Sequence, residues 1–430
     1  MTSTLSAAQR GHLQRVVLAN GATLLLGQNP TVEILAAYCF FRGGRRMERP
    51  EQAGLSNLMA AVLAKGTQQR DAQAIAAWVE SLGASLSVDS AADYFEVGLR
   101  CVAADFPALL GLLSEILQDP SFPEAEVERE RALMLQSIRA QQERPFHLAF
   151  EQVRQALYGK HPYALPGLGW PETVASLTRE DLRAYHATYC RPDRMVMAVI
   201  GPEPPQQMAE RIEAALAGWS VPARSPLDPI LPSLPPVEQP QLLKQAQPTQ
   251  QTTIMVGFRG ATAGTPDYAA LKLLCTYLGN GLSSRLFVEL RERCSLAYEV
   301  SAFYATRQDP APFVAYMATA ADNTVMALER LQAEIHRLHE HPLTQEELEL
   351  ARRKLLGQYA LSKQTNAQVA QLAGWYETLG LGMEFDQEYR QQIAQLTAPH
   401  LHQAVRTYLV TPVVALVGPE AALARVELPL

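Results

Sequence analysis

Several groups of side chains in this 430-residue chain have types and spacings that could do chemistry. His336, His339 and His341 form an H-x-x-H-x-H run, and imidazole nitrogens at such spacing can hold a transition metal. They close a charged helical stretch just before Pro342, with Glu334, Arg337 and Glu340 interspersed, so a solvated helix end is the plainer assignment. Cys294 stands beside Arg291 and Arg293, a setting of the kind that activates a thiol. No histidine neighbours it in sequence, and a packing cysteine is the plainer assignment. Gly279-Asn-Gly281 frees the backbone after a helical stretch but lacks the spacing of a phosphate loop or a dinucleotide fingerprint, which argues against nucleotide binding. Asn57, Ala60 and Ala61 lie at i, i+3 and i+4 of another helical stretch. That is the spacing at which two histidines and a glutamate hold a catalytic zinc and its water.

The elements that must position these residues are legible as patterns. Val16–Leu26 and Ile34–Phe41 read as strands, with Asn20-Gly21 as a hairpin turn. In Ala53–Ala64 the residues Leu55, Leu58, Met59, Val62 and Leu63 form one apolar helical stripe. Ala72–Leu82, Phe106–Leu117, Arg179–Tyr189 and Tyr268–Leu278 also read as helices, and Glu124–Glu143 as a long charged one. Ser85–Leu99 alternates as a strand, and Met195–Ile200 and Tyr298–Tyr304 follow as further strands.

The chain repeats itself. Phe41-Arg42-Gly43 returns as Phe258-Arg259-Gly260 at an offset of 217. Pro123 opens a charged helix whose counterpart begins at Thr344, an offset of 221. Thr178, Leu182 and Tyr189 lead into Met195–Gly201, as Thr397, Leu401 and Tyr408 lead into Val413–Gly418, an offset of 219. Such a period is far too long for a solenoid repeat and implies two homologous domains. Between them, residues 222–248 hold eight prolines, the composition of a linker. The expected organisation is therefore a domain at 1–221, a linker at 222–248 and a domain at 249–430. Grouped strands and grouped helices predict the α+β class, each domain a mainly antiparallel sheet with helices on one face.

Composition excludes some functions. With 37 Lys+Arg against 44 Asp+Glu the net charge is −7, unlike a nucleic-acid binder. No run of about 18 uncharged apolar residues appears, as a membrane-spanning helix would need. Met1–Leu18 is polar and has no apolar segment of a secretory signal. Five scattered cysteines read as reduced thiols, and together these features predict a cytoplasmic protein.

Gly54-Leu-Ser-Asn-Leu-Met-Ala-Ala-Val-Leu-Ala-Lys-Gly-Thr67 resembles the zinc helix of the pitrilysin/insulysin metallopeptidases, the H-x-x-E-H inverzincins. Leu82-Gly-Ala-Ser-Leu86, His161-Pro-Tyr, Gly167-Leu-Gly, Leu177–Leu182 and Tyr189–Asp193 resemble the same family, and the likeness runs from about Arg15 to Pro419. The resemblance places His, Glu and His where this chain has Asn57, Ala60 and Ala61. It places the third ligand, a glutamate, at Ser137, with Gln136 the neighbouring choice. Ser87-Val88 stands where active members tend to carry Asn-Ala on a strand that takes a peptide by β-augmentation. Gly279–Tyr298 resembles the family's C-terminal domain, and the match makes Arg291 and Tyr298 the pair that reaches into the catalytic chamber.

The resemblance implies a chain with no zinc and no peptidase activity of its own, the non-catalytic subunit of a two-subunit zinc metallopeptidase. Its partner would be a homologous subunit with an intact H-x-x-E-H motif and the zinc, and the substrate a peptide. Arg291 would grip a substrate carbonyl or carboxylate, and Tyr298 would donate to the oxyanion. Alone, the chain could form a homodimer. Two other readings stay open: a non-enzymatic peptide-binding or scaffold protein similar to respiratory-complex core subunits, and a metal site relocated to His336, His339 and His341.

Overall fold

Asn20 and Gly21 turn the chain between two antiparallel strands, β1 (Gln14–Val17) and β2 (Thr23–Gln28). The computed structural model describes residues 13–221 and 228–427. Most of the N-terminal stretch read for a secretory signal, and the first residues of the proline-rich stretch, lie outside the described residues. The strands continue as β3 (Ile34–Arg42), β4 (Ser85–Ser90), β5 (Tyr94–Val102) and β6 (Met195–Gly201). The second half supplies β7 (Gln241–Ala246), β8 (Gln251–Arg259), β9 (Glu299–Tyr304), β10 (Pro312–Ala320) and β11 (Val413–Gly418).

The helices of the first half are α1 (Leu55–Leu63), α2 (Ala72–Ser81), α3 (Phe106–Gln118), α4 (Glu124–Gln142), α5 (Pro145–Tyr158), α6 (Pro171–Ser176), α7 (Arg179–Tyr189) and α8 (Pro205–Ala215). The second half adds α9 (Pro266–Gly279), α10 (Thr324–Glu340), α11 (Gln345–Leu361), α12 (Asn366–Thr378), α13 (Phe385–Gln395), α14 (Ala398–Tyr408) and α15 (Glu420–Leu423). No helix among the described residues is long and apolar enough to cross a membrane.

Two sheets result, in the orders β1-β2-β6-β3-β5-β4 and β7-β11-β8-β10-β9. Both are mainly antiparallel, with one parallel pair each, β2–β6 and β7–β11. The α+β class and the duplication are therefore as the sequence predicts. Three local expectations need correction. Ser85–Leu99 is not one strand but the hairpin of β4 and β5. Gln241–Ala246, inside the proline-rich stretch, is an edge strand rather than linker. Prolines 240 and 248 flank it, so no ladder N–H is lost within it.

The third correction concerns the faces of the sheets. One face of the first sheet packs Leu24, Leu35, Phe41, Val97 and Met197 against its helices, among them α1 and α3. The opposite face presents Leu25, Ala36, Tyr38, Phe40, Val196 and Ala198, and α12 covers it with Ala370. β3 and β6 are thus buried on both sides, which is why they read as unbroken apolar runs. In the second sheet Val153 of α5 lies over Gly257, whereas Thr324 of α10 bonds Thr252. Positions 257 and 252 have opposite parity along β8, so α5 and α10 occupy opposite faces. Helices are not confined to one face.

These packings exchange segments between the halves of the sequence. One compact unit is formed by residues up to Ile138, Pro166–Ile230 and Leu361–Glu384. The other is formed by Arg139–Leu165, Leu231–Ala360 and the chain from Phe385 onward. α12 starts with a capping box of Thr365 and Gln368. Asn366 then donates to the carbonyl of Ile34 at 2.7 Å and accepts from Asn29 at 2.7 Å, fixing the helix at the head of β3.

Candidate functional site

The helix that resembles a zinc helix is built with care at its start. Gly54 precedes it at φ 97°, a left-handed conformation that favours glycine. A Cβ there would also lie 2.6 Å from the carbonyl oxygen of Leu168. The first free N–H groups of α1 meet a carboxylate: Gly54 N donates to Glu48 Oε2 at 2.9 Å and Ser56 N to Glu48 Oε1 at 2.7 Å. An anion is favourable at a helix N-terminus. Glu48 is only 5% exposed, and burial holds its carboxyl above the usual range despite these bonds. It borders a cavity of about 330 Å³ together with Arg49, Asp181, Tyr185 and Tyr189.

Farther along the helix the chemistry stops. Asn57 commits its amide to the carbonyl of Gly167 at 2.6 Å. Ala60 is 4% exposed and Ala61 half-buried, and neither has a lone pair to offer a metal. α4 packs on the same core, its Met134 methyl against Gly54 and its Glu130 3.2 Å from Lys65. One turn beyond Met134, Ser137 is exposed and donates to its own helix at the carbonyl of Leu133, 2.9 Å away. Asn57, Ala60, Ala61 and Ser137 therefore do not fit a zinc ion, which needs three donors and an open place for water. Among the described residues no group of three or more His, Cys, Asp or Glu side chains is gathered closely enough to hold a metal.

His336, His339 and His341 form no such group. His339 turns to the carbonyl of Leu409 at 2.8 Å. His336 and His341 lie exposed on either side of Glu340, at 3.5 and 4.0 Å.

In the second unit, α9 ends on Gly279, where a Cβ would fall 1.8 Å from the backbone nitrogen of Ala302. Only glycine lets the helix approach β9 that closely. Gly281 follows at φ +79° and turns the chain toward a π-helix, Phe287–Arg293, with i→i+5 bonding. Such wide turns recur at functional sites. Glu289 accepts from both Arg285 at 2.9 Å and Arg293 at 2.7 Å. Arg291 has no carboxylate partner among the described residues and lays its guanidinium 4.9 Å over the ring of Phe287. Ser295 then takes a left-handed φ of 53°, rare for a residue with a side chain. Tyr298 follows, 63% exposed, its N–H bonded to Ala318 at 3.0 Å. The fold thus presents both Arg291 and Tyr298 to solvent, on one irregular segment. Cys294, on the same segment, is exposed.

Residues 23–169 match the family model described as insulinase, peptidase family M16, and residues 176–355 match the one described as peptidase M16 inactive domain. The chain belongs to the insulinase (M16) peptidase family. A zinc protease YmxG of Bacillus subtilis, named as uncharacterized, is 26% identical over 85% of this chain and 90% of its own length. A zinc protease of Rickettsia bellii, likewise named as uncharacterized, is 25% identical over 86% of each chain. Among solved structures, a peptidase M16 inactive domain from Pseudomonas fluorescens superposes with a TM-score of 0.85 at 26% identity, covering 95% of this chain and 98% of that one. A protease from Helicobacter pylori shares the fold, with a TM-score of 0.90 at 19% identity over 95% and 100% of the chains.

Family motifs now have local reasons in this member. Thr178 and Asp181 form the capping box of α7. His161 accepts the N–H of Tyr163 at 3.2 Å and caps a short turn. Ser87 is exposed and Val88 half-buried on β4, the edge strand of its sheet. Glu48 escapes sequence reasoning, because an isolated Glu before Arg-Pro carries no periodic or motif signal.

Proposed function

We propose that this M16 chain is the zinc-less subunit of a two-chain zinc metallopeptidase. The partner would be a homologous chain with an intact H-x-x-E-H helix that holds the zinc, in the same cytoplasmic compartment. The observation that carries the reading is an asymmetry. α1 has a glycine start, a carboxylate cap and a packed core face but no metal-ligating side chain at positions 57, 60 and 61, whereas Arg291 and Tyr298 are displayed without side-chain hydrogen bonds of their own. The first set serves stability, whereas a solvent-displayed arginine and tyrosine contribute little to it. In this reading Arg291 holds a substrate carbonyl or carboxylate, and Tyr298 donates to the oxyanion formed at the partner's metal.

The test mixes the purified chain with an H-x-x-E-H homologue encoded in the same genome, on a short fluorogenic peptide. Activity is expected only in the mixture, with Tyr298→Ala lowering kcat/KM by about 10²-fold, as loss of one oxyanion donor does, and Arg291→Ala lowering it through loss of the charge-assisted hold on the substrate. Unchanged turnover in both variants would remove the role in trans. Peptide binding without cleavage by any mixture would favour the scaffold reading.

A further inference from the structure

Glu96 sits where a carboxylate is costly. It lies on β5 directly opposite Phe40 of β3, so it shares the sheet face that α12 covers, and it is only 5% exposed. Gln371 of α12 donates its amide to Oε1 at 2.8 Å. The other oxygen, Oε2, is buried and accepts no hydrogen bond. Asp89 is its cross-strand neighbour on β4 and adds a like charge. Tyr38 and Arg42 from β3 and Tyr94 from β5 lie on the same face, and Arg100 on β5 is bonded to Ser85 at 2.9 Å. The one charged residue within α12, Glu377, pairs with Arg15 at 2.8 Å. No cation is therefore bonded to Glu96, and the one group that α12 offers it is a neutral amide.

We propose that α12 is a pH-gated clasp on the first sheet: it docks firmly over a protonated Glu96 and loosens when Glu96 ionises. The geometry gives the reason. Closing α12 over β5 strips water from Glu96 and replaces it with a single hydrogen bond, which suffices for a neutral carboxyl and not for a carboxylate. The proton also gives the unsatisfied Oε2 a neutral form. α12 is the segment by which the second half of the sequence completes the first unit, so a change in its docking alters that unit without touching its own strands.

The sign follows from linkage. Burial pushes the Glu96 carboxyl up to about 7 from an ordinary value of 4.5. The docked state therefore binds the proton more tightly, and its advantage is complete below the ordinary value and is lost as pH rises through about 7. The separation corresponds to a change in the docking constant of up to about 300-fold.

The experiment is amide hydrogen exchange of the full chain between pH 5 and pH 9, corrected for intrinsic rates. The opening constant of α12 is expected to rise by about 80-fold across this range, since part of the full change already falls below pH 5, while β3 and β6 change much less. Glu96→Gln keeps an acceptor for Gln371 and should hold α12 protected and insensitive to pH. Asp89→Asn, at an exposed position, should keep the pH dependence and move its midpoint to lower pH. Protection of α12 that tracks β3 and β6 at every pH overturns the proposal. So does an undiminished pH dependence in Glu96→Gln, or an unmoved midpoint in Asp89→Asn.

Discussion

Replacing Glu48 with Ala tests whether α1 is held in place by its carboxylate cap. The carboxylate accepts two N–H groups, at 2.9 and 2.7 Å, from Gly54 and Ser56, both buried. Each buried donor left without a partner costs about 1–3 kcal/mol. The neighbouring cavity of about 330 Å³ can admit water, which re-satisfies part of the loss. A loss of about 3 kcal/mol is therefore expected, below the simple sum of two full penalties. For a unit of this size each kcal/mol lowers Tm by about 2–4 °C, so the transition should fall by about 6–12 °C. Glu48→Gln retains one carbonyl acceptor and should lose roughly half as much. Calorimetry of the two variants beside the native chain measures both shifts. A Glu48→Ala variant that melts within about 1 °C of the native chain would show that the two N–H groups do not depend on the carboxylate, and the reasoning would fail.

Two further outcomes follow from the same geometry. The combined change Asn57→His, Ala60→Glu, Ala61→His and Ser137→Glu should bring zinc close to one equivalent per chain by elemental analysis, while the native chain purifies with far less; an equivalent of tightly held zinc on the native chain refutes the assignment of these positions. Gly279→Ala should lower the unfolding free energy measured by denaturant titration by at least about 2 kcal/mol, because its Cβ would lie 1.8 Å from Ala302 N and α9 must move off β9; an unchanged midpoint refutes that constraint.

Much of the fold is visible in local pattern. α7 and β11 fall on the residues expected, because a capping box starts the one and an unbroken apolar run bounded by Gly-Pro defines the other. The hairpin of β4 and β5 is harder, since its turn is Ala91-Ala92-Asp93 and carries no glycine or asparagine. β7 hides between prolines because its partner β11 lies about 170 residues away, beyond any local signal. α12 announces its start through Thr365 and Gln368, yet nothing local says which sheet it joins.

The candidate site divides in the same way. Residue identity alone settles that positions 57, 60, 61 and 137 offer Asn, Ala, Ala and Ser, because a missing lone pair is a property of the side chain and not of its surroundings. The spacing of Arg291 and Tyr298 is likewise in the sequence. Tertiary structure decides which arginine of that segment is free, since Glu289 takes Arg285 and Arg293 and leaves Arg291. It also decides that Glu48 and Glu96 are buried, one beneath the start of a helix and the other beneath a helix from the far half of the chain. Water removal depends on what packs on a residue, and that partner is chosen by the whole fold, so these two buried carboxylates look in the sequence like any others.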